Sequence, residues 1–252
     1  AGEGGGEAGG EAWELAAARA AALFRMKDTV SSLYAWGLLT RRHASELVAA
    51  LRAEAAGGGG AEGGPARVRL VDPIAGTGFH GALLQAAGAE VVLADSVDGG
   101  STQSSGADTR YLEQCATPGP AVGGTAVISA VSPVVWQAAE RLCVFDEGKE
   151  ASTWWERHSG SEGGGSVTAL LLSFPPPPPS TVAEAALRRF RGDWLVFVGE
   201  WRGCTATAAF FDALDAAWEV RRTLDLPRWP MMDDRAFLLR RRGARPPGAA
   251  GP

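Results

Sequence analysis

Residues 68–95 read VRLVDPIAGTGFHGALLQAAGAEVVLAD, and the fold follows from how that stretch is punctuated. Val68, Leu70 and Val71 make a short apolar run that ends at Asp72-Pro73, because proline removes a ladder donor and restricts the residue before it. The strand therefore ends in a carboxylate. Gly76 and Gly78 bracket Thr77, where a side chain would hinder a tight turn or the close approach of a ligand. The spacing predicts a helix from Phe79 to about Ala87 with Ala82, Leu83, Ala86 and Ala87 on one face, and Gly88 is placed to stop it. Val91 to Ala94 read as the next strand, closed by Asp95. Strand, glycine turn, helix and strand form the repeating unit of an α/β sheet.

The turn has two candidate ligands. Gly76-Thr77-Gly78-Phe79-His80-Gly81 satisfies GxGxxG, and Asp95 stands near the spacing of a ribose-binding acid, which suits a dinucleotide such as NAD. In that fingerprint, however, the first glycine comes straight off the strand, so that a pyrophosphate sits over the helix N-terminus. Here Asp72, Pro73, Ile74 and Ala75 intervene. A carboxylate under the turn repels a pyrophosphate and attracts an ammonium group. S-adenosyl-L-methionine carries that ammonium and no phosphate.

The segment Val71-Asp72-Pro73-Ile74-Ala75-Gly76-Thr77-Gly78 resembles the first motif of class I S-adenosylmethionine-dependent methyltransferases, with Asp95 where that family keeps its ribose-binding acid. The resemblance implies a Rossmann-like, mostly parallel seven-stranded sheet with an antiparallel C-terminal strand pair and an N-terminal helical cap. It implies that Asp72 lies near the methionine end of the cofactor, that Ala75, Gly76, Thr77 and Gly78 pass beneath it, and that Asp95 holds the ribose. The wider set Tyr34-Ala35-Trp36, Ser173-Phe174-Pro175-Pro176 and Gly199-Glu200 is similar to uncharacterised methyltransferase-like proteins.

Composition agrees with such a domain. The chain has 252 residues, 46% of them hydrophobic, enough for one substantial core. A net charge of −5 lacks the basic excess that general polyanion binding requires, so nucleic acid is possible but unsupported by charge. Cys115, Cys143 and Cys204 are few, odd in number and without metal-type spacing, so neither a disulfide framework nor a metal site is expected. No apolar run reaches the length of a bilayer span, and a soluble intracellular protein, cytoplasmic or in an organellar matrix, is expected. Oligomeric state is not encoded in any pattern found.

Outward from the central stretch, residues 1–10 read as a disordered Gly/Glu/Ala lead. Residues 11–54 read as a helical cap, with a helix from Glu11 to about Lys27, a new turn capped by Asp28 or Thr29, and a second helix capped by Thr40. That second helix carries Ala44, Leu47, Val48 and Leu51 at i, i+3, i+4 and i+7 for burial on the sheet. Residues 55–66 form a Gly-rich linker, 67–242 the α/β domain and 243–252 a disordered tail. Residues 96–124 and 146–165 read as loose connections. Between them Thr125 to Val131 suggest a strand, and Pro133 to Cys143 a helix.

Val167 to Leu172 are apolar on both faces, as in a central parallel strand. In class I methyltransferases that act on exocyclic amines this strand ends in Asp or Asn, then Pro-Pro and an aromatic residue. Ser173-Phe174-Pro175-Pro176-Pro177 resembles that motif in part, with Phe174 in the place of the polar residue. By the resemblance Ser173, Phe174, Pro175 and Pro176 face substrate. Tyr34 and Trp36 read either as lid residues at the substrate mouth or as packing anchors. A helix capped by Ser180 follows, then a strand over Trp194 to Val198, a helix over Thr205 to Ala217, an edge strand through Trp218, Val220 and Leu224, and a last strand over Ala236 to Leu239. Ligands of open α/β sheets gather at strand carboxyl ends, so Glu200 is a candidate base or substrate-orienting carboxylate. His80 is a candidate base or a helix-terminus residue. The methyl acceptor is not encoded. Three functions are consistent with these patterns: a methyltransferase, a methyltransferase-like binding or structural subunit without catalysis, and an NAD(P)-dependent oxidoreductase.

Overall fold

In a computed structural model, residues 7–33, 35–56, 67–95, 139–160, 166–229 and 231–244 are described. The elements are α1 (Glu7–Leu33), α2 (Arg41–Ala56), β1 (Arg67–Asp72), α3 (Phe79–Ala86), β2 (Glu90–Asp95) and β3 (Glu140–Arg141). They continue with α4 (Lys149–His158), β4 (Ser166–Ser173), α5 (Val182–Arg189), β5 (Trp194–Gly199), α6 (Ala208–Ala217), β6 (Trp218–Asp225) and β7 (Arg235–Arg241). The strand order is β3-β2-β1-β4-β5-β7-β6, six strands of ordinary length with the two-residue β3 at one edge. Pairings from β3 through β5 are parallel, whereas β7 runs antiparallel to both β5 and β6. The sheet is thus mixed and mostly parallel, with its antiparallel pair at the C-terminus.

The two central strands are buried on both faces, which is why their sequences are nearly continuous in apolar residues. Strict alternation divides them. Val167, Ala169 and Leu171 of β4 and Trp194, Val196 and Val198 of β5 face one layer, where Ala44, Leu47, Val48 and Leu51 of α2 and Leu84 of α3 pack. Leu170, Leu172, Leu195 and Phe197 face the other, against Trp154 and Trp155 of α4, Leu187 of α5 and Phe210, Phe211 and Leu214 of α6. Because side chains alternate with period two, each strand fastens helices to both sides. Phe197 anchors the second layer, with the Phe210, Phe211 and Phe237 rings at 5.6, 5.7 and 5.9 Å.

Thr40 begins α2 as its side chain predicts. Its Oγ1 accepts the backbone N–H of His43, and its carbonyl accepts that of Ala44 at 2.9 Å. The predicted face of α2 is fully buried. Several expectations are corrected. The first helix starts at Glu7, inside the lead read as disordered, and runs unbroken to Leu33, past the point where a new turn was expected. The fully buried residues of α3 are His80, Gly81 and Leu84; of the predicted face Leu83 and Ala87 pack partly buried against the core, Ala82 is half-buried and Ala86 is exposed. Glu140–Arg141 pair with Ala94–Asp95 where the sequence suggested the end of a helix. Lys149–His158 is a helix within the stretch read as loose. The suggested strand over 125–131, most of the helix begun at Pro133, the loop 96–124, and the side chain of Tyr34 lie outside the described residues.

Candidate functional site at the strand carboxyl ends

The parallel strands β1, β2, β4 and β5 all end on one side of the sheet, and the residues singled out in the sequence follow those ends. Asp72 closes β1 and is 2% exposed. Its Oδ1 accepts the N–H of Ile74 at 3.1 Å, so the acid caps the turn that it introduces. Burial raises its pKa to about 8; the Ile74 bond works against that rise, and the Asp95 charge adds to it. Asp72 is therefore neutral in the unliganded protein at neutral pH.

The turn is fixed to β2 at two points. Ala75 donates to the Ala94 carbonyl at 3.1 Å, and Gly76 donates to Asp95 Oδ2 at 2.5 Å. Gly76 and Gly78 have φ of +55° and +72°, the left-handed region that favours glycine. Among the described residues nothing lies within 4 Å of where a Gly76 side chain would begin, so this backbone presents an open face. Asp72, Ala75, Gly76, Thr77, Gly78 and Asp95 are thus brought together.

A further wall was missed in the sequence. Leu142 donates to the Asp95 carbonyl at 3.0 Å, so the segment after β3 runs beside the β2 carboxylate. Arg189 on α5 donates to the carbonyls of Val144, Phe145 and Asp146, and Trp155 Nε1 reaches the Val144 carbonyl at 2.8 Å. Three consecutive carbonyls held by one guanidinium make a rigid segment. The signal was present in α4, since Ala151, Trp154, Trp155 and His158 recur at i, i+3, i+4 and i+7 and are all buried.

His80 sits behind the turn. Its Nε2 donates to the Gly37 carbonyl at 2.9 Å, and burial, only partly offset by that bond, lowers its pKa to about 4. The imidazole is therefore a neutral strut between α3 and the segment leading into α2. Gly37 has to be small there, because a Cβ would meet Val198 Cγ1 at 2.9 Å and Phe174 Cδ2 at 3.4 Å. The ring of Trp36, read from sequence as either a lid residue or a packing anchor, stacks on that of Phe174, read as substrate-facing, with centroids 6.3 Å apart and planes 22° apart. Phe174 has φ of +50°, an unusual conformation for a residue with a side chain, and its N–H donates to Val198 O at 2.7 Å. Ser173, at the end of β4, lies in register with Val198. Pro175 accepts the N–H of Ala206 at 3.0 Å, and Pro176 follows it in the same connection.

Glu200, just past β5, spends both oxygens on the backbone, accepting the N–H of Cys204 at 3.0 Å and that of Asp233 at 2.8 Å. Burial pushes its pKa up, but those two donors and the Lys27 charge outweigh it, and the net shift is downward. A carboxylate held this way is a weak base and a firm anchor. It joins the loop after β5 to the connection before β7, where Asp234 lies fully buried with neither oxygen hydrogen-bonded among the described residues. Burial, then Glu200, raise the Asp234 pKa to about 6. Sequence reading missed Asp234 because a second acid in a polar connection looks solvated; only the pairing of β7 with β5 carries it beneath Glu200. Among the described residues no three His, Cys, Asp or Glu side chains form a metal-type cluster, and no helix is long and apolar enough to cross a membrane.

This arrangement defines a Rossmann-like α/β protein with its candidate site at the carboxyl ends of the parallel strands. No protein-family model matches the chain, and no curated protein sequence does. Among solved structures it is similar to magnesium protoporphyrin IX methyltransferase ChlM from Synechocystis PCC 6803 with bound SAM, at 15% identity and TM-score 0.38 over 80% of this chain and 79% of that one. It is also similar to the mitomycin 7-O-methyltransferase MmcR, at 13% identity and TM-score 0.32 over 80% of this chain and 56% of that one. The 23S rRNA methyltransferase ErmE gives 13% identity and TM-score 0.34 over 85% of this chain and 72% of that one. All three solved structures are methyltransferases. Function has to be read from this chain's own residues.

Proposed function

We propose that the chain is an S-adenosyl-L-methionine-dependent methyltransferase that binds its cofactor along Asp72 to Gly78 and Asp95. The observation that carries this reading is the bond from Gly76 N to Asp95 Oδ2, which unites the glycine turn and the second acid in one open-faced cradle. The Asp95 carboxylate stands beside the turn, and the backbone at Gly76 leaves room for a ligand to lie against it. When bound, the cofactor supplies an electrophilic methyl group on a sulfonium. The chain's own task is positioning, which supplies much of the acceleration when two reactants are held in line. The rigid segment from Val144 to Asp146 flanks the Asp95 side. Ser173, Phe174, Pro175, Pro176 and Trp36 form the acceptor side, with Tyr34 preceding them in sequence. Glu200 orients rather than deprotonates, and His80 holds the acceptor segment to the turn.

The test is calorimetry of the purified chain with S-adenosylmethionine, S-adenosylhomocysteine and NAD. Micromolar binding of the first two is expected, weakened about tenfold or more in Asp95→Ala because charge-assisted bonds are lost. Binding of NAD alone would reassign the turn to a dinucleotide, and binding of none would leave a module without this cofactor.

A further inference from the structure

A buried polar group with no partner is rare in folded proteins, and a buried carboxylate with two unpartnered oxygens is costly. Asp234 is 0% exposed, and both its oxygens lack hydrogen-bond partners among the described residues. Trp229, 9% exposed in the same connection, has an indole N–H that is likewise buried and unpartnered. Glu200 cannot relieve Asp234, since it is an acid itself and is committed to two backbone N–H groups. The connection from Trp229 to Asp234 thus contains an acceptor and a donor that the protein itself leaves unmatched.

The charges around this carboxylate indicate the chemistry that suits it. Glu200 and Asp233 add negative charge, and Arg228 is paired with Asp225 and Asp233. Among the described residues, the other cation acting on this carboxylate is Lys27 of α1. Its Nζ lies 3.7 Å from Met232 Sδ and 5.5 Å from the centre of the Trp36 ring, within electrostatic reach of both Glu200 and Asp234. Trp36 in turn stacks on Phe174 at the end of β4. An ammonium therefore lies over an aromatic face and acts electrostatically on two carboxylates, surroundings of the kind in which cationic nitrogen is recognised. Its tether holds it short of ion-pair contact with Asp234.

We propose that Trp36, Glu200 and Asp234 form the acceptor site, that the acceptor is an amine whose nitrogen displaces the Lys27 ammonium, and that Asp234 takes its proton. This rests on the methyltransferase reading above. The amine enters as an ammonium and passes one proton to Asp234. The freed lone pair on nitrogen forms the new N–C bond as the methyl's bond to sulfur breaks, its electron pair remaining on sulfur. The methylated nitrogen then carries the positive charge that the sulfonium loses. Asp234 is suited to receive a proton because it ionises near neutral pH, whereas Glu200 is held too acidic for that role.

The experiment is calorimetry on the full chain with benzylamine, and with benzyl alcohol as its neutral counterpart, in the presence and absence of S-adenosylhomocysteine. Benzylamine is expected to bind and benzyl alcohol not. Asp234→Asn, which keeps the shape, should weaken benzylamine about tenfold or more, as loss of a buried charge partner does, while leaving S-adenosylhomocysteine binding unchanged. Lys27→Met should tighten benzylamine severalfold by removing the internal competitor. Equal binding of the alcohol, no benzylamine binding, or an Asp234→Asn variant that folds and binds as the parent would overturn the proposal. Should Asp234→Asn not fold, an unchanged affinity in Lys27→Met would do so. Loss of S-adenosylhomocysteine binding in the parent chain would instead count against the methyltransferase reading, and the benzylamine titration without that ligand still decides the amine site.

Discussion

Asp72→Asn replaces a buried acid by a neutral group of the same shape that can still accept the Ile74 N–H. In the folded chain Asp72 binds a proton up to a pH of about 8, whereas the unfolded side chain releases it near the ordinary 3.8. Between those limits the folded state holds one more proton than the unfolded state, so stability falls as pH rises. Each pH unit removes about 1.4 kcal/mol, and between about pH 5 and about pH 7.5 the loss from this one group is roughly 3 kcal/mol. Below the lower limit and above the upper limit the contribution is flat. The Asn variant has no such dependence. Urea midpoints followed by the fluorescence of the nine tryptophans, taken across that window for both proteins, isolate the effect, because every other titrating group is common to both. The variant should gain on the parent steadily with pH. Parallel curves for the two proteins would refute the reasoning, since they would mean that Asp72 is ionised in the folded chain.

The buried imidazole has the opposite sign. Between the ordinary 6.5 and about 4 the unfolded state takes up a proton that the folded His80 does not, so acidification through that window should cost the parent about 3 kcal/mol more than His80→Gln, as read from urea midpoints. Gly37→Ala should lower stability by about 1–3 kcal/mol, since its methyl would press on Val198 and Phe174, and a thermal melt at one pH is enough to detect it. Arg189→Met removes the bonds to Val144, Phe145 and Asp146 and should cost about 1–3 kcal/mol in urea while also weakening S-adenosylmethionine in calorimetry; a stability loss with unchanged affinity would detach that segment from the cofactor site.

Strongly patterned elements were legible from the chain alone. The double-sided apolar runs of β4 and β5, the Asp-Pro stop after β1, the glycine turn and the Thr40 cap each follow from a local rule that tertiary contacts did not override. What escaped was either short or mixed in polarity. β3 is two residues held by backbone pairing to the end of β2, and no side-chain pattern can announce that. α4 hides its face behind an adjacent tryptophan pair and a histidine that counts as polar until it is seen buried. In the site, the cradle of Asp72, Gly76, Gly78 and Asp95 is contiguous in sequence and could be named. Asp234 could not, because its burial is produced by two strands, β5 and β7, whose pairing brings residues far apart in the chain into one place. Glu200 was located correctly at the end of β5, but its two backbone donors were invisible, and they set its chemistry.

The bond from His80 to the Gly37 carbonyl separates two kinds of inheritance within one polypeptide. Everything C-terminal to it that builds the cradle is tied into the sheet by many strands and cannot change without cost. Among the described residues, the leading segment with Lys27 and Trp36 meets that framework through side chains, at His80, Phe174 and Met232, and adds no strand to the sheet. Substitutions in the leader can therefore change which molecules are admitted while the sheet-bound part of the protein stays as it is.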